Sequence, residues 1–321
     1  MIEIKKFIIE QSDLWEKIVK KANNGTLFHT RKFLSYHPPG RFIDHSLVFN
    51  KNNQPYVLFP AAERKINGKR FLVSHPGTSY GSFIVPEDIS FADSYDIVES
   101  LIEYTKSQNF KGIRLTPPPT IYNRRLSNYI DFSLLQHGFR YIKREISSIL
   151  FLEDTIEQNL DKFKSSHKRA VRKAIKEGVE VRESDKFDEF YNILQNNLKI
   201  RHNVKPTHTI DELLKLKELF PNKVQLFGAF LKNKMIAGVV NFISTKDVVL
   251  AFYISHDEEY QETRALNLLF YSIFDWAIKN ELKVFDFGIF TVNEEPNFGL
   301  ARFKENFGAS GMFRDTFEII L

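Results

Sequence analysis

The sequence predicts a mixed α/β protein, with α+β mixed sheets, built as two tandem domains of like design. Three observations carry this. The order strand, helices, three-strand meander, helix, strand, helix, strand is read once in the first half and again in the second. The segments Ser107-Gln108-Asn109-Phe110-Lys111-Gly112-Ile113-Arg114-Leu115 and Lys279-Asn280-Glu281-Leu282-Lys283-Val284-Phe285-Asp286-Phe287 share one shape, a helix end passing into a short buried strand. Finally, 321 residues suffice for two ordinary domains, each with its own core. A repeat spaced at half the chain indicates a duplicated domain rather than a solenoid. The division is expected as residues 1–155 and 156–321, with the linker between Leu152 and Asp161.

In the first half, alternation predicts a strand over Ile2–Ile9, and apolar periodicity a helix over Leu14–Lys21 ended by Asn23-Asn24-Gly25. A short helix around Arg31–Tyr36 stops before Pro38-Pro39-Gly40. Strands over His45–Asn50, Pro55–Arg64 and Arg70–His75 are joined by Lys51-Asn52-Asn53 and Asn67-Gly68, residues that suit hairpins. A loop rich in glycine and proline leads to a helix over Phe91–Gln108 and a buried strand over Gly112–Leu115. After Pro117-Pro118-Pro119 come a helix near Arg124–His137 and a strand over Phe139–Leu152.

The second half opens with a basic helix, Asp161–Glu177, and a strand, Val179–Glu183. Helices over Phe187–Arg201 and Asp211–Phe220 precede three strands, Val224–Leu231, Met235–Ser244 and Val248–Ser255, with Lys232-Asn233-Lys234 as a turn. A helix over Ala265–Asn280, a strand over Val284–Phe287, a helix over Gly299–Asn306 and a strand over Phe313–Ile320 complete the order.

Composition removes several classes of function. With no cysteine, disulfides, thiolate nucleophiles and zinc–thiolate sites are excluded, and a reducing cytoplasm fits. The first seven residues alternate as a strand and not as a signal peptide, and no apolar run approaches the roughly 18 residues of a membrane span. The net charge of +5 favours an anionic partner, whether a phosphate-bearing substrate, nucleic acid or an anionic membrane surface. Thirty-one phenylalanines point to aromatic cores and an aromatic-lined cleft.

Two stretches carry chemistry. Val284-Phe285-Asp286-Phe287-Gly288 reads as a buried strand stopped by glycine, followed by a helix closed by Gly308. On that helix Leu300, Phe303 and Phe307 fall at i, i+3 and i+7 and should face the core, with Lys304 on the flank of the stripe. An ammonium held against an apolar wall beside a strand end suits stabilisation of negative charge. The second stretch, Lys162 to Val179, is the densest positive cluster in the chain. Ala170, Val171, Ala174 and Ile175 form its packing stripe, while Lys168, Arg172 and Lys176 line up at i, i+4, i+8 beside Arg169 and Lys173. Like charges at that spacing repel, and an anion would relieve them. Ser165 or Ser166 would cap the helix start, whose free amides attract phosphate.

Arg169-Ala170-Val171-Arg172-Lys173-Ala174 through Gly178-Val179, together with Phe285-Asp286-Phe287-Gly288 and Phe303-Lys304-Glu305-Asn306-Phe307-Gly308, resembles the FemABX family of aminoacyl and acyl transferases. That family has two tandem domains of the GNAT (N-acyltransferase) fold, and the resemblance covers nearly the whole chain. Ile236-Ala237-Gly238 is similar to the central GNAT hairpin, and no paired-helix insertion interrupts the second half, as in the armless members. The resemblance implies that the basic helix holds a phosphate-bearing acceptor and that Lys304 lies in the acyl-transfer site.

Two positions depart from the family pattern. Members that extend peptidoglycan precursors carry Arg-x-Asp-Pro in the first domain; here Arg114-Leu115-Thr116-Pro117 places a hydroxyl where a carboxylate would take the proton of the attacking amine. The stretch Gln261-Glu262-Thr263-Arg264-Ala265-Leu266-Asn267 lacks the glycine that opens GNAT backbones to a coenzyme A pyrophosphate, leaving the side chains of Gln261 and Arg264 as phosphate ligands. The donor is therefore an acyl-CoA or an aminoacyl-tRNA.

Acyl transfer to an amine needs a neutral amine, a held oxyanion and a proton for the leaving group. Lys304 is expected as the charge stabiliser and Asp286 as the carboxylate nearest the strand end, with Glu294 and Glu295 as further candidate bases. Lys168, Arg169, Arg172 and Phe303 are expected to bind substrate, and no metal is expected. The expected activity is transfer of an acyl or aminoacyl group to an amine of a phosphate-bearing envelope precursor of peptidoglycan or surface polysaccharide, a small molecule or a lipid-linked one, with tRNA as a partner if the donor is aminoacyl-tRNA and no protein partner inferred. The alternative is a catalytically inactive twin-domain binder of nucleic acid or nucleotide-linked sugars.

Other signals point elsewhere. Gly77-Thr78-Ser79-Tyr80-Gly81 matches the Gly-x-Ser-x-Gly elbow of serine hydrolases, but no helix follows at once, so it reads as a loop. The nine histidines show no metal-site spacing, and the triple proline reads as a rigid turn at a strand end.

Overall fold

The computed structural model describes residues 2–202 and 206–321. The chain forms two compact units, one of Met1–Glu145 with Phe313–Leu321 and one of Ile146–Met312. Both are mixed α/β assemblies, the fold class the sequence predicts.

In the first unit, Ile2–Lys6, Leu47–Lys51 and Gln54–Phe59 form an antiparallel sheet. The strand expected over Pro55–Arg64 is in fact two. Pro60 has no N–H to give a ladder, and the chain resumes as Ala62–Ile66 in a second sheet, between Ile43–Asp44 and Lys69–Ser74. Asn52-Asn53 and Asn67-Gly68 take positive φ at both turn positions, the type I′ geometry that matches strand twist. Lys69–Ser74 then runs parallel to Gly112–Leu115, reached through the helix Phe91–Ser107, whose first turn is capped by Ser90 Oγ accepting from the Asp93 N–H at 3.0 Å. Leu47, Phe49, Phe59, Leu101 and Phe317 are among its fully buried core. The helix expected over Arg124–His137 is shorter, Tyr129–Gln136.

In the second unit the strand order is Arg140–Phe151, which enters this unit at Ile146, then Val284–Ile289, Val248–His256, Lys234–Ile243, Val224–Leu231 and Glu180–Ser184. Lys232 and Asn233, both at positive φ, make another tight hairpin. The helix Ala265–Lys279 connects the parallel pair Val248–His256 and Val284–Ile289. The helix expected over Asp161–Glu177 is broken into Ile156–Lys162 and Ser165–Lys176. Phe163 and Lys164 are extended between them, which lets Phe163 pack edge-on against Phe307 at 5.0 Å and Phe274 at 6.0 Å. Burial of that ring outweighs continuation of the helix.

The strands that close the units are distributed otherwise than the boundary near residue 155 implies. Residues from Ile146 pair with Val284–Ile289, whereas Phe317–Ile320 pair antiparallel with Gly112–Leu115 in the first unit. Alternation gives a strand its buried face but does not choose its neighbour.

The two parallel pairs differ where chemistry would occur. In the second unit the ladder ends at Leu250↔Asp286, while the strands continue to His256 and Ile289. Bulges flank this level: one leaves Phe252 extra between Val240↔Tyr253 and Asn241↔Ala251, and the register shifts again between Asp286↔Ile149 and Ile289↔Ser147. In the first unit the same place is occupied by the chain itself. The Gly81 N–H donates to the Thr116 carbonyl at 2.8 Å, and the Ser82 N–H to Ser74 Oγ at 2.7 Å. A Cβ on Gly81 would lie 2.2 Å from the Ser74 carbonyl oxygen, so only glycine fits. The Gly-x-Ser-x-Gly segment is thus a plug at a strand end.

Candidate active site

Lys304 lies on the helix Phe298–Glu305, whose start is capped by Asn297 Oδ1 accepting from the Leu300 N–H at 2.9 Å. The inward face is Ala301, Lys304 and Phe307; Leu300, expected in the core, is 36% exposed. Lys304 therefore occupies a central position in the stripe rather than its flank, and is 2% exposed. Its Nζ donates to the carbonyl oxygens of Gly288 and Ile289, both at 2.8 Å. Those carbonyls are turned toward it because Gly288 adopts φ 72°, in the left-handed region that favours glycine. Burial pulls the Lys304 ammonium down to about 7, opposed by the charge of Asp286.

Asp286 is fully buried, and its Oδ1 accepts from Ser147 Oγ at 2.5 Å and from the Gly288 N–H at 2.7 Å. The carboxylate thus braces the turn whose carbonyl holds Lys304, and acts on that lysine through its charge.

The basic helix Ser165–Lys176 starts against the Lys304 helix: the Lys164 N–H donates to the Asn306 carbonyl at 2.9 Å, and the His167 ring lies 4.5 Å from Phe307 and 5.4 Å from Phe303. Its packing stripe is His167, Val171 and Ala174; Ile175, expected within it, is exposed. Burial lowers the His167 imidazole below its ordinary range. Phe303 is half-buried in the same aromatic cluster. Arg169 and Arg172 stand exposed, while Lys168 pairs with Asp161 at 3.2 Å.

Lys173 reaches Glu262 at 3.6 Å, and Arg264 reaches the same carboxylate at 3.3 Å. This brings the basic helix to the turn carrying Gln261 and Arg264, both exposed. Arg264, at φ 60°, opens the helix Ala265–Lys279 without a side-chain cap. In its first turn Asn267 is buried, and its Nδ2 finds no hydrogen-bond partner among the described residues. The orphaned Asn267 amide and the exposed side chains of Gln261 and Arg264, at a helix start, form a donor set that fits the phosphates of an acyl-CoA. Among the described residues, no group of three or more histidine, aspartate or glutamate side chains could hold a metal ion.

The structure brings Lys304 and Asp286 together and sets the basic helix against the Lys304 helix; sequence reasoning did not single out their neighbours Ser147, His167 and Asn267. Only His167 left a signal, at i−4 from Val171 on the buried stripe. Ser147 meets Asp286 through strand pairing, which spacing does not reveal.

The site thus sets a parallel strand pair that parts beside a buried lysine next to a helix start with an unpartnered buried amide donor. Residues 161–305 match the acetyltransferase (GNAT) domain family. Those residues carry a GNAT-type acetyltransferase domain, within a chain of FemABX-like tandem fold. Among solved structures, FemX superposes with a TM-score of 0.75 at 14% identity, over 99% of this chain and 97% of that one. L-PGS from Bacillus licheniformis gives 0.61 at 11% identity, over 97% and 91%. A tandem GNAT protein from the clavulanic acid biosynthesis pathway gives 0.59 at 8% identity, over 100% and 98%. At such identities these likenesses are of fold alone. No curated protein matches the chain.

Proposed function

We propose that the protein transfers an acyl or aminoacyl group to an amine of a phosphate-bearing envelope precursor, a unit of peptidoglycan or surface polysaccharide or a lipid-linked form of one. The observation that carries this reading is the buried Lys304 ammonium beside the parting strands. The amine nitrogen attacks the donor carbonyl and forms the new C–N bond. The thioester or ester bond then breaks, and the amine proton goes to the leaving sulfur or oxygen. Two Lys304 donors hold backbone carbonyls; the third donor of an ammonium steadies the oxyanion. Arg169 and Arg172 grip acceptor phosphates with Lys168 in support, Phe303 borders the substrate, and Gln261 and Arg264 meet the donor. One neighbour supports the acceptor class by name: the C-terminal domain of a putative lysylphosphatidylglycerol synthetase from Agrobacterium fabrum, whose name joins a lysyl group to a phosphate-bearing lipid.

Thermal-shift measurements with coenzyme A thioesters, aminoacyl-tRNA and UDP-linked muramyl peptides will identify the ligands, since binding only the folded state raises Tm. With the pair so found, Lys304→Ala should lower kcat/KM by about 100-fold or more while leaving the circular dichroism unchanged. Arg169→Ala with Arg172→Ala should raise the acceptor KM and spare kcat. Full activity of Lys304→Ala would sink the assignment. Steep salt-dependent tRNA binding with no acyl turnover would instead favour the binding-protein reading.

A further inference from the structure

Four aromatic rings stand exposed together on the first unit. Phe91 lies 6.2 Å from Tyr95 on its own helix, and 5.6 and 5.7 Å from Tyr129 and Phe132 on the helix Tyr129–Gln136. Phe132 is 49% exposed, and Leu126, three residues before Tyr129, is 75% exposed. Rings of this kind are normally folded inward, and a contiguous exposed group marks a surface that meets something apolar. The chain joins this patch to a cluster of cations. Asn23, just beyond the helix Ser12–Lys21, clamps the backbone of Arg125 with its side-chain amide at 2.8 and 2.9 Å, and its carbonyl accepts from the Arg124 N–H at 2.9 Å. The Arg124 guanidinium donates to the Lys20 carbonyl. Lys20, Lys21, Arg124 and Arg125 are thereby gathered at the base of the loop that presents Leu126, and all four are exposed. Asp96 and Glu99 are exposed farther along the Phe91–Ser107 helix.

We infer that this surface docks on an anionic lipid bilayer. Aromatic rings favour the headgroup level, a protruding leucine enters the acyl boundary, and cations meet lipid phosphates; that pairing fits a charged bilayer better than a purely apolar partner. Docking here is peripheral, because no helix among the described residues is long and apolar enough to cross a membrane. The inference goes beyond the transfer reaction and does not depend on it.

Co-sedimentation of the full chain with vesicles tests it. Binding is expected to phosphatidylcholine vesicles containing phosphatidylglycerol, to weaken with salt, and to be slight with phosphatidylcholine alone. Leu126→Ser with Phe132→Ser should weaken binding about tenfold or more, and Lys21→Glu with Arg125→Glu should remove its dependence on phosphatidylglycerol, each with Tm unchanged. Lys304→Ala should bind vesicles as the unaltered chain does, which separates this outcome from that of the transfer proposal. Equal binding to both vesicle types, or unaltered binding by both double variants, would overturn the inference. So would concentration-dependent dimerisation in light scattering that Leu126→Ser with Phe132→Ser abolishes, because the patch would then be covered by a second copy.

Discussion

Lys304 Nζ stands 2.8 Å from the carbonyl oxygen of Gly288, the residue at which the strand Val284–Ile289 turns out of its regular course. The cation is thus tied to the irregular end of the strand, where it is almost wholly removed from water. A lysine on a solvated flank would keep its ordinary basicity; here burial brings it to about 7.

That position yields a pH dependence. If Lys304 acts while charged, its protonated fraction falls as pH rises through about 7, and kcat/KM should carry a descending alkaline limb there. The residual activity of Lys304→Met should lack the limb. A profile flat from neutral pH upward would show that the charge of Lys304 takes no part.

Asp286 supports the charged form of Lys304 through its negative charge. Asp286→Asn keeps the shape and a hydrogen-bonding oxygen while removing that charge. The alkaline limb should move to lower pH, a shift that a residue merely bracing the turn would not produce. The pH–rate profile of the variant, with its Tm as a control for folding, decides between the two.

His29 in the first unit is fully buried and is held by burial at about 4, against an ordinary value of 6.5. Its Nδ1 accepts from the Thr26 N–H at 3.1 Å, so Nε2 carries the proton given to the Gly81 carbonyl at 3.0 Å. A second proton, on Nδ1, would break the hydrogen bond from the Thr26 N–H and leave only Thr26 Oγ1, 3.2 Å away, to accept it. Because the unfolded chain binds a proton more readily, the stability from the neutral ring is full above pH 6.5 and is lost as pH falls toward 4. The loss approaches about 3 kcal/mol. Tm measured across that window should fall, and His29→Gln should flatten the dependence; an unchanged slope would remove His29 as the cause.

Much of the fold was legible because its signals are local. Asn-Gly and Asn-Asn turns mark hairpins through their tolerance of positive φ, and apolar spacing located the helix that carries Lys304. Features set by distant partners were not legible. Phe163 breaks a continuous-looking helix because a ring pocket awaits it. Ile175 and Leu300 keep helical spacing yet face water, since a stripe says which residues share a face and not how wide the covering surface is. The segment Gly77–Gly81 has a hydrolase-like spelling, and only the contact of Gly81 with Ser74 shows it to be a strand-end plug.

By itself the sequence determined the α/β class, the repeated order of elements, the basic helix and the helix that carries Lys304, since each depends on side chains within a few residues of one another. Tertiary structure alone decided which strand closes each unit, that Ser147 and Gly288 hold Asp286, and that His167 and Phe307 join the basic helix to the Lys304 helix. Those contacts link residues far apart in the chain. They form through burial and hydrogen-bond satisfaction, which act through space and leave no period in the sequence.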